Sequence, residues 1–322
     1  MQGTAFEELF GALTELQLDS TELARLRDWL THLHLPGACL GLIAHAAGTP
    51  PCPHCQCSRV HRCGEASGLQ RWRCLACRHS YNALTGTPLA RLRKRELWLP
   101  FLTCLLESET VRKAAEQIGV NPSTSFRWRH RFAPGAACER PSLLSGMVEA
   151  DETYLLESQK GSRCLDRPPR RRGGVTKRRG INRDHDCLLV ARDRSKQTLD
   201  FYTGRGPVSS TQLERSLGPA LAPDALLISD SARAYVGFAA RAGIRHEAIN
   251  VRAGERARGA IHLNSVNGWH SRFKTWLRRF NGVASHYLQH YSGWQRILDD
   301  ARLTTPADLL CAIVRCARSP GH

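Results

Sequence analysis

Four cysteines stand in two CxxC pairs, Cys52 with Cys55 in "CPHC" and Cys74 with Cys77 in "CLAC". Two such turns can present four thiolates at the corners of a tetrahedron, which suits Zn²⁺. The spacing predicts a zinc ribbon over residues 47–88, with one structural ion bound by these four side chains. The exchange of one ligand for a neighbouring side chain stays open for the following residues: His54, Cys57, His61, Cys63 and His79.

Two aspartates lie in a pattern that suits phosphodiester chemistry. Asp151 belongs to the strand-like run "LLSGMVEADETYLLES", and Asp230 comes just after the apolar residues 226–228, separated from them by Ser229. A hairpin and a helix are predicted between them, and an amphipathic helix after them, over residues 261–280. This order predicts a mixed α/β domain of the RNase H type, whose first and fourth strands bring the two carboxylates together. Such carboxylates repel each other unless cations lie between them. Two Mg²⁺ about 3.5–4 Å apart, or Mn²⁺ instead, would neutralise them and activate an attacking oxygen.

These elements are preceded by a helix-turn-helix pattern over residues 89–136. In "ESETVRKAAEQIGVNPSTSFRWRHRF", Gly119 suits the turn, Asn121 can cap the second helix, and Pro122 suits its first position. Small polar residues followed by bases are typical of a helix that enters the major groove. A plain helical hairpin is the alternative. The residues predicted to contact DNA on this helix are Ser123, Thr124, Arg127 and Arg129.

The charge balance favours a polyanionic partner. The 322 residues include 46 Lys and Arg against 29 Asp and Glu, a formal charge of +17, and double-stranded DNA binds such surfaces through its phosphates. Nine bases fall between residues 163 and 183. We predict phosphate contacts from that run and from the amphipathic helix: Arg170, Arg171, Arg172, Lys177, Arg178, Arg179, Lys274 and Arg278.

Composition also limits the class of protein. Hydrophobic residues make up 42% of the chain, which excludes general disorder. The first residues carry acids where a secretory signal has bases, and no apolar run approaches the roughly 20 residues of a membrane span. We therefore expect an intracellular protein. In such a protein, thirteen cysteines indicate metal binding rather than disulfides.

The chain resembles, over roughly residues 50–300, the insertion-sequence transposases that have an N-terminal zinc ribbon and an RNase H-like DDE-type catalytic domain. The resemblance rests on "CPHC…CLAC", "LTGTPL", "VEADETY", "LLISDSARAY" and "HLNSVNGWHSRFKTWLRRFNGVASHYLQHY". It implies that Asp151, Asp230 and Asn267 are the catalytic residues and hold Mg²⁺, with Asn267 where many relatives have glutamate. Asn264 stays open as an alternative ligand or as a helix cap. Glu152 is left out, because neighbouring residues of a strand face opposite sides.

The resemblance further implies a DNA transposase that binds terminal inverted repeats, cleaves the element ends and transfers the strands. We expect a homo-oligomer, because strand transfer joins two ends, and a bacterial cytoplasmic location with nucleoid association through DNA. The predicted organisation is a helical segment at 1–46, the ribbon at 47–88, the helix-turn-helix at 89–136 and the catalytic domain at 143–318. A catalytically inactive, transposase-derived DNA-binding regulator is the main alternative, and a zinc-ribbon nuclease without strand transfer is the other.

Overall fold

The computed structural model describes residues 8, 11–23, 25–26, 36–171, 173–176, 178–250 and 253–316. Much of the predicted N-terminal helical segment, together with Arg172 and Lys177, lies outside the described residues. Within the described part of that segment, residues 11–15 and 20–23 are helical, and helix α1 spans Pro36–Ala47. No helix among the described residues combines the length and the apolar character needed to cross a membrane.

A small antiparallel sheet follows α1, and three helices follow the sheet. Its strands lie in the order β1 (Val60–Ala66), β2 (Leu69–Cys74) and β3 (Ser80–Asn82). A short 3-10 turn at Arg95–Leu97 leads into α2 (Trp98–Leu106), α3 (Val111–Gln117) and α4 (Pro122–Cys138). Helices α3 and α4 are the two that the helix-turn-helix pattern predicts. Gly119 turns the chain between them with φ +67°, and the Asn121 side chain accepts a hydrogen bond from the Ser123 N–H.

The largest sheet has five strands, and their order identifies the fold. The strands are β4 (Met147–Leu156), β5 (His185–Asp193), β6 (Thr198–Arg205), β7 (Leu226–Asp230) and β8 (Arg245–Ile249). They lie side by side in the order β6-β5-β4-β7-β8. β5 is antiparallel to β4 and β6, β7 is parallel to β4, and β8 is parallel to β7. This is the RNase H-like arrangement, and it confirms the predicted fold class.

Helices cover both faces of this sheet. One face packs on α5 (Ser210–Leu217) and α6 (Arg233–Ala242), mainly through Leu213 and Phe238. A two-stranded ribbon, β9 (Ala257–Arg258) and β10 (Ile261–His262), leads to α7 (Asn264–Arg278) on the other face. Helix α7 buries Val266, Trp269 and Phe273 against the sheet, as its apolar periodicity predicts.

The last two helices pack on the helix-turn-helix region. After a 3-10 turn at Ser285–Tyr287, α8 (Leu288–Asp300) and α9 (Pro306–Cys316) share one buried core with α1, α2 and α4. Helix α8 also contacts β6 through a buried ion pair in which Arg296 Nε lies 2.7 Å from Asp200 Oδ1. Because α8 touches both the sheet and α4, it joins the helical region to the RNase H-like sheet.

One expectation from the cysteine count is wrong. We predicted no disulfide, yet Cys138 at the end of α4 and Cys316 at the end of α9 form one. The packing of α9 on α4 brings the two Cα atoms to 6.0 Å, which is within disulfide range. The two cysteines are 178 residues apart in sequence, so their spacing gave no indication of the contact.

Candidate active site

The strand register places Asp151 and Asp230 side by side. Strands β4 and β7 pair in parallel with Glu149 opposite Ile228, and two further residues along each strand lead to Asp151 and Asp230. Residues two positions apart on a strand face the same side of the sheet. Ile228 packs in the hydrophobic cluster that lies between the sheet and α7. Both aspartates therefore point toward α7, as the predicted pairing of the first and fourth strands requires.

The charges of this carboxylate pair are not neutralised by basic side chains. Among the described residues, no Lys or Arg side chain lies within 4.0 Å of the Asp151 or Asp230 carboxylate. Burial, with the nearby charges of Glu152 and Asp230, raises the pKa of Asp151 to about 7. The Asp230 carboxylate is oriented by the Ala232 N–H, which donates to Oδ1 over 3.0 Å. Two oxygen-rich acids without a basic partner fit a divalent cation.

Glu149 fixes the start of α7 against the sheet. Its side chain is buried, and Oε2 accepts hydrogen bonds from the backbone N–H groups of Ser265 (2.8 Å) and Val266 (3.0 Å). Arg194 donates to Oε1, and His262 Nδ1 lies 3.1 Å from the same oxygen. The first free N–H groups of the helix are thus capped by a strand residue rather than by a local side chain. The alternative that Asn264 caps this helix is wrong, since Asn264 is the first residue of α7 and Leu263 occupies the N-cap position.

Two side chains of helix α7, His270 and Lys274, lie close to Asp151. His270 Nδ1 lies 3.7 Å from Asp151 Oδ2, and only 8% of the His270 side chain is exposed. Burial, followed by the charge of Lys274, lowers the pKa of His270 to about 3, so its imidazole is neutral. Asn267 and Lys274 stand three residues before and four after His270, and both are therefore its neighbours on the helix surface.

The Asn267 side chain is exposed, and its amide group makes no hydrogen bond within the described part of the chain. The oxygen of this side-chain amide is therefore free to bind a cation. The possible ligand atoms of Asp151, Asp230 and His270 do not all lie close enough to one another to bind a single metal ion together. Of the described Cys, His, Asp and Glu side chains, only the ribbon cysteines form a group of three or more at such a distance. Glu152 faces the other side of the sheet, where it accepts a hydrogen bond from the Tyr235 hydroxyl.

The ribbon brings its four predicted ligands together. The sulfur atoms of Cys52, Cys55, Cys74 and Cys77 all lie within 4.8 Å of one another. Cys52 and Cys77 are 3.5 Å apart and Cys55 and Cys74 are 3.6 Å apart, close to the edge of about 3.8 Å that Zn–S bonds of 2.3 Å give a tetrahedron. A thiolate set with this shape fits one structural Zn²⁺.

The residues predicted to contact DNA differ in exposure. The exposed ones are Ser123, Arg127, Arg171, Arg178, Arg179, Lys274 and Arg278, while Thr124 and Arg170 are partly buried. The prediction for Arg129 is wrong: it is 1% exposed, and its guanidinium lies 5.3 Å from the ring centre of Phe280 and 5.1 Å from that of Trp294. Because α8 and the end of α7 pack on α4, this position of the helix faces the protein.

The basic run at 163–183 is anchored to the sheet. Glu157 at the end of β4 is 4% exposed, and its Oε2 lies 2.8 Å from Arg167 and 3.3 Å from Arg170. Arg205 Nη2 on β6 lies 3.2 Å from the other carboxylate oxygen. Arg170 therefore has an internal partner, whereas Arg171, Arg178 and Arg179 stay at the surface.

Sequence reasoning missed Glu149 and His270. The spacing in the sequence could have indicated that both lie near the site. Glu149 precedes Asp151 by two residues on the same face of the strand, and His270 follows Asn267 by three residues on the helix. Neither spacing reveals the partner across the sheet, which the structure supplies.

A known protein family matches the part of the chain that contains the five-stranded sheet. Residues 143–294 match the family model of the ISXO2-like transposase domain. No curated protein matches the chain.

The chain is also similar to solved structures of Mos1 transposase. A pre-cleavage transpososome matches with 15% identity, 64% of this chain and 77% of that chain covered, and a TM-score of 0.22. A paired-end complex with the left transposon end matches with 18% identity, 64% and 77% covered, and a TM-score of 0.21. The RNase H-like fold of this chain is defined by the strand order β6-β5-β4-β7-β8.

Proposed function

We propose that this chain, whose residues 143–294 match the family model of the ISXO2-like transposase domain, is the DNA transposase of an insertion sequence. It would bind the terminal inverted repeats, cleave DNA at the element ends and join the freed strand to target DNA. The observation that carries the chemistry is the pairing of Asp151 and Asp230 on adjacent parallel strands beneath α7, without a basic partner among the described residues.

Asp151, Asp230 and Asn267 would hold the divalent cations, two Mg²⁺ or Mn²⁺. When bound, such cations polarise the phosphodiester and lower the barrier to in-line attack by an oxygen nucleophile. Asn267 contributes an amide oxygen without charge, so we expect weaker metal binding than in a site with three carboxylates. The neutral His270 adds no positive charge that would compete with the cations.

The remaining residues would place the DNA. Lys274 and Arg278 are exposed on α7 beyond Asn267 and follow it at steps of seven and eleven residues, which keeps them on the same side of the helix. There they can bind the phosphates that flank the scissile bond. The zinc ribbon and α4 would recognise the element ends, with Ser123 and Arg127 directed at the DNA. Two ends must meet for strand transfer, so the active form would be an oligomer.

A strand-transfer assay tests the proposal. It uses the full-length protein, a plasmid with the DNA that flanks the gene, and Mg²⁺. Asp151→Asn and Asn267→Ala are compared with wild type. Glu152→Gln is the matched control, since this acid adjoins Asp151 but faces Tyr235 on the other side of the sheet. We expect joined products from wild type and Glu152→Gln, and none from Asp151→Asn.

Each outcome separates the competing functions. Specific binding to the flanks without cleavage by wild type, in Mg²⁺ and in Mn²⁺, would refute the enzyme and support the DNA-binding regulator. Cleavage that depends on Asp151 but gives no joined product would leave a nuclease. Full activity of Asn267→Ala would remove Asn267 from the metal site, and Asn264→Ala then tests the alternative ligand.

A further inference from the structure

A cavity of about 540 Å³ lies between the helix-turn-helix and the segment that follows α7. One wall comes from the starts of α3 and α4, with Arg112 and Phe126. The other comes from residues 279–287 and from Lys160, which follows β4. Neither the ribbon nor the aspartate pair includes it, so it has no role in the function proposed above.

The cavity is positively charged. Its lining includes Arg112, Arg129, Lys160 and Arg279 but no Asp or Glu. Backbone carbonyls, which carry no charge, accept hydrogen bonds from three of these cations, among them Arg129, which donates to the Glu109 carbonyl. Lys160 Nζ donates to the carbonyls of Asn281 (3.1 Å) and Gly282 (2.8 Å), and Arg279 donates to those of Glu107 and Ser108 (both 3.2 Å). Among the described residues, none of the four cations lies within 4.0 Å of a carboxylate. Arg129 is buried, whereas the charges of the exposed Arg112, Lys160 and Arg279 remain available to an anion.

Aromatic rings form a shelf in the same cavity. Phe126 is 46% exposed, although it is a large apolar side chain. Its ring centre lies 4.4 Å from that of His130, which stacks on Tyr287 at 3.6 Å. Burial, together with the charge of His290, lowers the pKa of His130 to about 4, so this shelf is uncharged at neutral pH. Aromatic rings next to cations that contact the backbone are how proteins bind single strands of nucleic acid.

We propose that this cavity binds one unpaired nucleotide of a DNA strand, with its base on the Phe126 ring and its phosphate at Arg112 and Arg279. The inference rests on the proposed function. The volume lies within the roughly 300–1,000 Å³ of pockets for small organic ligands, and a duplex, whose major groove alone is about 12 Å wide, cannot enter it. Arg279 follows Asn267 by twelve residues along α7, which is about 18 Å. A strand with a phosphodiester at the aspartates can therefore reach the cavity with a nearby nucleotide.

The test measures binding without catalysis. The probes are a blunt duplex that contains the gene's flanking DNA and the same duplex with a short single-stranded 3′ extension containing 2-aminopurine. Ca²⁺ replaces Mg²⁺, so that cleavage is prevented while the ribbon metal is retained. Wild type should bind the extended probe on the order of tenfold more tightly, the affinity equivalent of stacking one base, and should quench the 2-aminopurine fluorescence.

Variants assign the effect to the cavity. Phe126→Ala, at an exposed side chain, should lose the preference for the extension and keep the affinity for the blunt duplex. Phe126→Trp should keep both. Leu143→Ala is the matched control, because Leu143 is also a large apolar side chain, 49% exposed, but lies outside the cavity. Arg112→Ala should weaken binding of the extended probe more than that of the blunt one.

Three results would overturn the inference: equal affinity of wild type for both probes, an equal loss on both probes in Phe126→Ala, and competition by inorganic phosphate as effective as by thymidine monophosphate. The last would leave an anion site only. Cleavage and joining that depend on Asp151, without a preference for the extension, would refute the cavity proposal alone. A preference for the extension without cleavage in Mg²⁺ would refute the transposase alone.

Discussion

Removal of the Glu149 carboxylate should detach the start of α7 from strand β4. Glu149→Ala removes the acceptor of two backbone hydrogen bonds and the partner of Arg194. Helix α7 holds Asn267 and His270, so its position relative to Asp151 depends on this contact.

The magnitude follows from three of the four partners of Glu149, the two backbone N–H groups and Arg194, with His262 as the fourth. Hydrogen bonds to a charged group contribute about 1.5–3 kcal/mol each, so the two N–H groups together contribute about 3–6 kcal/mol. Arg194 is 33% exposed and regains water when its partner is lost, which keeps its share small. Water that enters the vacated space restores part of the loss at the helix end. We therefore expect Glu149→Ala to lower the free energy of unfolding by about 4 kcal/mol, which is in the range for breaking a buried ion pair from one side.

Glu149→Gln separates charge from hydrogen bonding. Its amide oxygen can still accept the two backbone N–H groups but offers Arg194 no charge, so we expect a loss of about 1–2 kcal/mol. Urea unfolding followed by far-UV circular dichroism measures both variants. Glu116→Ala, an exposed glutamate on α3, is the control and should change stability by less than about 0.5 kcal/mol.

A loss below about 1 kcal/mol in Glu149→Ala would refute the reasoning, since it would show that α7 is held by its apolar face alone. A second measurement follows the consequence for the metal site. Mn²⁺ binding by calorimetry should weaken in Glu149→Ala and recover in Glu149→Gln. Unchanged Mn²⁺ affinity in a folded Glu149→Ala protein would contradict the role of Glu149 in placing Asn267.

Three further predictions concern the carboxylate pair, the ribbon and the helix packing. Without Mg²⁺ or Mn²⁺, the raised pKa of Asp151 means that the folded state binds more protons than the unfolded state between about pH 4 and pH 7. The free energy of unfolding should therefore fall as the pH rises through that range. Asp151→Asn should remove this decrease, which urea titrations at several pH values would measure. Chelation of zinc should unfold the ribbon, because metal binding there supplies folding free energy on the order of 10 kcal/mol. The NMR amide signals of the folded ribbon should then be lost while those of the RNase H-like sheet remain. An unchanged ribbon spectrum would contradict the prediction. Gly293→Ala should lower the free energy of unfolding by about 1–3 kcal/mol, since the added Cβ on α8 would lie 2.4 Å from the Ala137 Cβ on α4. A free energy of unfolding equal to that of wild type would show that these two helices can move apart to make room.

The sequence by itself determined the features that depend on local spacing. The CxxC pairs fix four ligands within a short segment, because each turn sets the geometry of its own two sulfur atoms. The succession of strands and helices along the chain and the positions of Asp151 and Asp230 on strands also follow from local patterns, since a strand alternates its faces with a period of two. The apolar stripe of α7 identified its buried side for the same kind of reason.

Only the tertiary structure decided which side chains meet across the sheet and between the helices. Glu149 caps a helix that starts 115 residues later, and Arg129 faces the protein because α8 packs on α4. Cys138 and Cys316 meet because α9 packs on α4, and the cavity at Phe126 needs walls from both regions. Local propensity does not encode such contacts. They form when distant apolar surfaces are buried together, and the position of a polar side chain then depends on the packing of the whole chain.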